Sequence, residues 1–250
     1  MKTIVIANWK MNPATFREAR KLFEATKKIA DSAKSIAIVV APPALYLREL
    51  RGAYMGARIS FAAQNACFEL GGAHTGGVSL AQIKDARVQY VLVGHAERRA
   101  AGETNEDTGK KVAAALAAGL VPIFCVGETK RSGSGEHFLF VKDQLRAGFA
   151  SVPPAKASRV IVAYEPVWAI GSDAAMSPRD MHEMAIFIRK TVVEVCGESG
   201  HKVQILYGGA ADETNAADML RDGDVRGLLV GRASQDAGRF AALIRALGDA

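Results

Sequence analysis

A glutamate standing directly before a proline at the end of an apolar run is a carboxylate pushed to the edge of a sheet. In Val160-Ile161-Val162-Ala163-Tyr164-Glu165-Pro166-Val167-Trp168-Ala169-Ile170-Gly171 the run opens as a strand covered on both faces. Pro166 has no amide hydrogen and biases Glu165 towards extended backbone, so the strand stops there and the acid faces whatever lies beyond. No helical period follows until Ser177-Pro178-Arg179-Asp180, where Ser177 reads as an N-cap, Pro178 as the first helical residue and Asp180 as an acid facing the dipole. A strand-end acid beneath a long loop suggests a general base under a lid; the bland reading is an exposed glutamate beside a surface loop. Two further strand ends carry chemistry. Asn8-Trp9-Lys10-Met11-Asn12 offers an amide and a lysine, and Gly94-His95-Ala96-Glu97-Arg98-Arg99 offers an imidazole. Taken singly, a lysine is usually just solvated and a lone histidine is more often structural. Taken together, base, electrophile and cation are the set that moves a proton next to a carbonyl: the carboxylate removes the carbon-bound proton, and a donor and a cation stabilise the enediolate oxygens.

These residues need a scaffold that brings strand ends together. Short apolar runs recur at 3–7, 36–41, 59–63, 90–93, 121–126, 160–164, 204–207 and 227–230. Between them lie helical patterns, such as Phe16, Ala19, Phe23, Thr26, Ala30 and Met181, Met184, Ile188, Val192, Val195, at steps of three or four. Eight alternating units predict one α/β domain over residues 1–250, a single (β/α)8 barrel; a doubly wound sheet usually has fewer strands and a Gly-rich dinucleotide turn, which is missing. A barrel places its chemistry at the C-terminal strand ends. There Tyr207-Gly208-Gly209-Ala210 and Val230-Gly231-Arg232-Ala233-Ser234 present backbone amides before short helices, an arrangement that grips phosphate without a metal. No acid or histidine cluster has ligand spacing, which predicts no metal and no cofactor.

Composition narrows the classes further. A chain of 250 residues with 49% hydrophobic content is globular. The apolar run at 36–41 closes on Pro42-Pro43 and is far too short for a bilayer. Met1-Lys2 leads straight into a strand-like run, which predicts no secretory signal and a cytoplasmic location. Cys67, Cys125 and Cys196 lack metal or redox spacing and read as reduced and mostly buried. The net charge of +6 is scattered, so nucleic acid is not expected; a mildly positive field would gather a small anionic substrate, and solubility alone also explains it.

The stretch Ala163-Tyr164-Glu165-Pro166-Val167-Trp168-Ala169-Ile170-Gly171 resembles the active-site loop of the triosephosphate isomerase family. The similarity continues through Asn8-Trp9-Lys10, Gly94-His95-Ala96-Glu97-Arg98-Arg99, Cys125-Val126-Gly127-Glu128-Thr129 and Tyr207-Gly208-Gly209, covering almost the whole chain. It implies interconversion of dihydroxyacetone phosphate and glyceraldehyde 3-phosphate, in glycolysis and gluconeogenesis. Glu165 would be the base, His95 the electrophile and Lys10 the cation, with Asn8 supporting Lys10 and Glu97 partnering it. A carboxylate base beside a neutral imidazole is the family's established pattern. Gly171, Ala210, Gly231 and Arg232 would offer phosphate-binding amides. The resemblance also implies a homodimer, in which the loop of Gln64-Asn65 and Gly72-Ala73-His74-Thr75-Gly76-Gly77 inserts beside the partner's active site with Thr75 at its tip.

Several positions depart from the family. Ala96 and Ala210 replace serines, Gly77 replaces a glutamate and Arg232 a glycine, and the lid reads Asp173-Ala174-Ala175-Met176 in place of Gly-Lys-Thr-Ala. Ala96 removes a hydroxyl that would hold the base, Gly77 removes an intersubunit ion pair, and Ala210 removes a lid bond that leaves Tyr207 to reach the amide of Met176. Two other classes stay open at this point: a different phosphosugar enzyme on the same fold, such as a lyase, and a binding protein that kept the barrel and lost the activity.

Overall fold

Eight parallel strands close on one another in chain order, each joined to the next through helical segments. The computed structural model describes residues 2–131, 133–169 and 176–248. The order runs β1 (Thr3–Asn8), α1 (Phe16–Ser32), β2 (Ile36–Ala41), α2 (Ala44–Ala53), β3 (Ile59–Ala63), α3 (Leu80–Asp85), β4 (Tyr90–Val93), α4 (Ala96–Ala100) and α5 (Asn105–Ala117). It continues with β5 (Val121–Val126), α6 (Glu136–Phe149), β6 (Ile161–Tyr164), α7 (Pro178–Cys196), β7 (Gln204–Tyr207), α8 (Ala216–Asp222), β8 (Gly227–Val230) and α9 (Ala237–Gly248). Pairing of β1 with β8, Ile4 opposite Gly227, closes the (β/α)8 barrel. All eight expected runs form strands. β1 reaches one residue further, because Asn8 pairs with Ala41, and β6 starts one later, because Val160 caps the 3-10 turn Pro154–Arg159.

The continuous apolar runs follow from two cores. Ile4, Ile6, Val39, Ala41, Leu92, Ile123, Cys125, Ala163, Leu206 and Leu229 fill the barrel interior, while alternate residues such as Val5, Ala7, Val162 and Tyr164 pack outward against the helices. A strand apolar on both faces shows no alternation in sequence. The helices bury the faces their periodicity marks: Ala19, Phe23, Thr26 and Ala30 on α1, and Met181, Met184, Ile188 and Val192 on α7. α7 begins as expected, with the Ser177 hydroxyl accepting from the Asp180 amide at 3.1 Å and Pro178 at its first position. All three thiols are unbridged; Cys125 and Cys196 are buried and Cys67 is half-buried. Among the described residues no helix is long and apolar enough to cross a membrane.

Candidate active site

Strand alternation aims Glu165 at the barrel mouth. Ile161 and Ala163 face inward, so the carboxylate two residues on continues that row at the open end. The backbone there is tightly held: the Glu165 amide donates to Val126 O at 2.8 Å and the Val167 amide to Glu128 O at 3.0 Å. A Cβ on Gly127 would overlap the Glu165 carbonyl, so only glycine lets these two strand ends run so close. Gln144 on α6 clamps Gly127 from the other side, accepting from its amide at 2.7 Å.

Glu165 is 2% exposed. Its Oε1 stands 3.1 Å from His95 Nε2, and its Oε2 accepts from the Ala96 amide at 2.9 Å. Burial pushes its pKa above the ordinary glutamate value, with His95, the Ala96 amide, Lys10 and Arg99 pulling the other way. Position 96 therefore holds the acid through its backbone, which a missing side-chain hydroxyl does not disturb. Gly208 crowds the acid from β7, since a Cβ there would meet Glu165 Cγ at 2.9 Å.

His95 caps α4. Gly94, at φ 73°, takes a left-handed conformation that breaks the strand alternation just before it. The Glu97 amide donates to His95 Nδ1 at 3.2 Å. An Nδ1 that accepts leaves the proton on Nε2, so the neutral ring presents an N–H towards Glu165 and the cavity.

Lys10 is bent into the mouth by its backbone. It adopts φ 54°, rare for a side-chain-bearing residue. Asn8 Oδ1 accepts from its amide at 3.0 Å, and Gln64 Nε2 donates to its carbonyl and to Ala41 O, each at 2.8 Å. Lys10 Nζ meets Glu97 Oε1 at 2.6 Å. Asn8, Lys10, His95, Glu165, Ala210, Gly231 and Arg232 line one cavity. Gly231 lets Lys10 pass, because a Cβ on it would stand 3.2 Å from Lys10 Cε. Of the expected residues, only Gly171 lies outside the described ones, with the lid segment Asp173-Ala174-Ala175.

The match to known proteins agrees with this geometry. Residues 3–247 fit the family described as triosephosphate isomerase. The chain belongs to the triosephosphate isomerase family. It is 41% identical over 246 residues to the triosephosphate isomerase of Endomicrobium trichonymphae, covering 98% of both chains. It is 40% identical to that of Roseiflexus sp. (strain RS-1), covering 99% of this chain and 98% of the relative. The triosephosphate isomerase of Moorella thermoacetica is 39% identical over 97% of this chain and 98% of its own.

Several residues that build the site carried no local signal. Gln64 read only as part of a loop, yet it fixes the Lys10 backbone. Glu128, 1% exposed, accepts from the Tyr164 hydroxyl at 2.8 and 2.9 Å and from Trp168 Nε1 at 2.7 Å, tying the segment after Glu165 to β5. Lys111 binds Glu103 at 2.7 Å and Asn65 at 2.9 Å, anchoring the base of the third loop. Gly77 in that loop is enforced locally, since a Cβ would stand 2.6 Å from Cys67 Sγ and 3.0 Å from His74 O. The expected bond from Tyr207 to Met176 is not well formed. Among the described residues the buried Tyr207 hydroxyl has no hydrogen bond of good geometry; burial pushes its pKa up to about 12, with the nearby amides of Met176 and Ala210 drawing it down. Among the described residues, no group of three His, Cys, Asp or Glu could hold a metal.

Proposed function

We propose that this chain interconverts dihydroxyacetone phosphate and D-glyceraldehyde 3-phosphate, as its family name states, through the residues gathered at the barrel mouth. Glu165 removes a proton from the carbon beside the carbonyl and returns it to the neighbouring carbon, while His95 Nε2–H donates to the carbonyl oxygen and stabilises the enediolate. Lys10 neutralises developing charge, Asn8 holds Lys10 in place, and Glu97 keeps its ammonium oriented. The amides at Gly171, Ala210, Gly231 and Arg232 hold the phosphate. The contact of Glu165 with His95 Nε2 at 3.1 Å, inside a cavity that Lys10 also lines, carries this reading. A carbonyl oxygen entering the site takes the Nε2–H for itself and releases the carboxylate to act on carbon.

The raised pKa of Glu165 supports its role, since a poorly solvated carboxylate is a stronger base. The reading extends to a cytoplasmic homodimer serving glycolysis and gluconeogenesis. Residues 71–77, around Thr75, are exposed in the single chain, and Met11 and Leu45 are 92% and 88% exposed. A groove lined by Met11, Pro43, Ala44 and Leu47 runs into Lys10 and Glu97, so a loop from a second copy would cover apolar surface and wall the site. The deciding experiment is an assay of glyceraldehyde 3-phosphate conversion coupled to reduction of the ketose product. Turnover by the parent that Glu165→Gln lowers by roughly 10² to 10⁴ is expected; no turnover by the parent would refute the isomerase.

A further inference from the structure

Three cations line the cavity at the barrel mouth: Lys10, Arg232 and Arg239. Two of them are already committed. Lys10 Nζ is 2.6 Å from Glu97 Oε1. Arg239 Nε is 4.0 Å from Glu213 Oε2, and its charge also bears on Asp212, which lines the same cavity. Arg232 differs: it is exposed, and its side chain makes no ion pair or hydrogen bond among the described residues. It is also the first residue of the turn Arg232–Gln235, next to Gly231, against which Lys10 packs. Its side chain therefore leaves the backbone at the rim where Lys10 reaches in.

We propose that the Arg232 side chain, separately from its backbone amide, is a specificity determinant of the phosphate subsite. Its guanidinium pairs with the substrate phosphate dianion and favours phosphorylated over uncharged trioses. An arriving dianion meets a lysine and an arginine whose charges are offset by carboxylates, and one guanidinium that has no partner to give up. Planar guanidinium donors match two phosphate oxygens, which a point-like ammonium does not. The assignment rests on the isomerase reading for the identity of its ligand.

Arg232→Gly keeps the amide and removes only the side chain, Arg232→Gln removes the charge, and Arg232→Lys keeps it. Inorganic phosphate, titrated calorimetrically into the folded protein, should bind about 3- to 10-fold more weakly to the Gly and Gln variants, the range of a charge-assisted contact partly screened by water. The Lys variant should recover part of the loss, and the difference from the parent should shrink as salt rises. For the triose phosphates KM should rise by a similar factor with kcat held, and the preference in kcat/KM for glyceraldehyde 3-phosphate over glyceraldehyde should fall. Equal phosphate affinity in parent, Gly and Gln variants would overturn the proposal. A parent that turned over no triose phosphate would instead refute the isomerase reading, and the phosphate titration would still decide Arg232.

Discussion

Gly208 sets the position of the base, and the consequence of filling it follows from two distances. Its amide donates to Tyr164 O at 2.7 Å, joining the ends of β6 and β7. Its φ is not in the left-handed region, so alanine meets no backbone strain there. The added Cβ would stand 2.9 Å from Glu165 Cγ and 3.2 Å from Tyr164 O. Carbon atoms sit best at about 3.5 to 4.0 Å, so a neighbour has to yield by roughly 0.6 to 1 Å. The Tyr164 carbonyl is locked by the sheet end, which leaves the Glu165 side chain to move. Its carboxylate then loses registry with His95 Nε2 and the Ala96 amide, at 3.1 and 2.9 Å. A misplacement near 1 Å costs roughly 10²-fold, so Gly208→Ala should lower kcat by about 10- to 100-fold. Overpacking of this kind lowers stability by about 1 to 3 kcal/mol, small enough to leave the barrel folded. The coupled isomerase assay gives kcat and a urea titration gives stability. An unchanged kcat in a folded Gly208→Ala protein would refute the claim that Gly208 positions the base.

Other substitutions read the remaining parts of the site. Glu165→Gln should lower the rate by roughly 10² to 10⁴ with the fold retained. Because burial raises the Glu165 pKa above its ordinary 4.5, kcat/KM of the parent should fall with acidity from a pH higher than that value. The same shift has a stability sign: the protonated acid suits the fold, so parent stability is lost as pH rises through the folded pKa. Glu165→Gln should therefore unfold at a higher temperature than the parent at neutral pH, with the gap closing below the ordinary carboxylate range; a pH-independent gap would contradict the burial argument. Lys10→Met should weaken phosphate binding and lower kcat together, and a change in thermal stability alone would make Lys10 structural. Glu128→Leu strands the buried Tyr164 hydroxyl and leaves the half-buried Trp168 indole N–H to water, and urea unfolding should show a loss of about 1 to 3 kcal/mol, the usual range for one unsatisfied buried donor. Thr75→Arg at the tip of the third loop should shift sedimentation towards the single chain and depress activity with it, whereas an unchanged sedimentation profile would count against that loop as the dimer contact.

What the sequence carried by itself was whatever depends on neighbours along the chain. Eight strands were legible because a barrel strand is buried on both faces and so appears as an unbroken apolar run, and α7 because its cap, proline and acid are adjacent in sequence. Glu165 was legible because Pro166 ends its strand. Residues brought together across the barrel left no such trace. The left-handed Lys10 depends on Gln64, 54 residues away, and the segment after Glu165 is moored to Glu128 by Trp168, 40 residues on. The tautomer of His95 depends on the direction of one backbone amide, and the place of the base on the missing side chain of Gly208. Apart from the His95–Glu97 contact, which is two residues long but needs the turn after β4 to form, these are contacts between the ends of different strands, and local pattern has no term for a distance that only the assembled sheet creates.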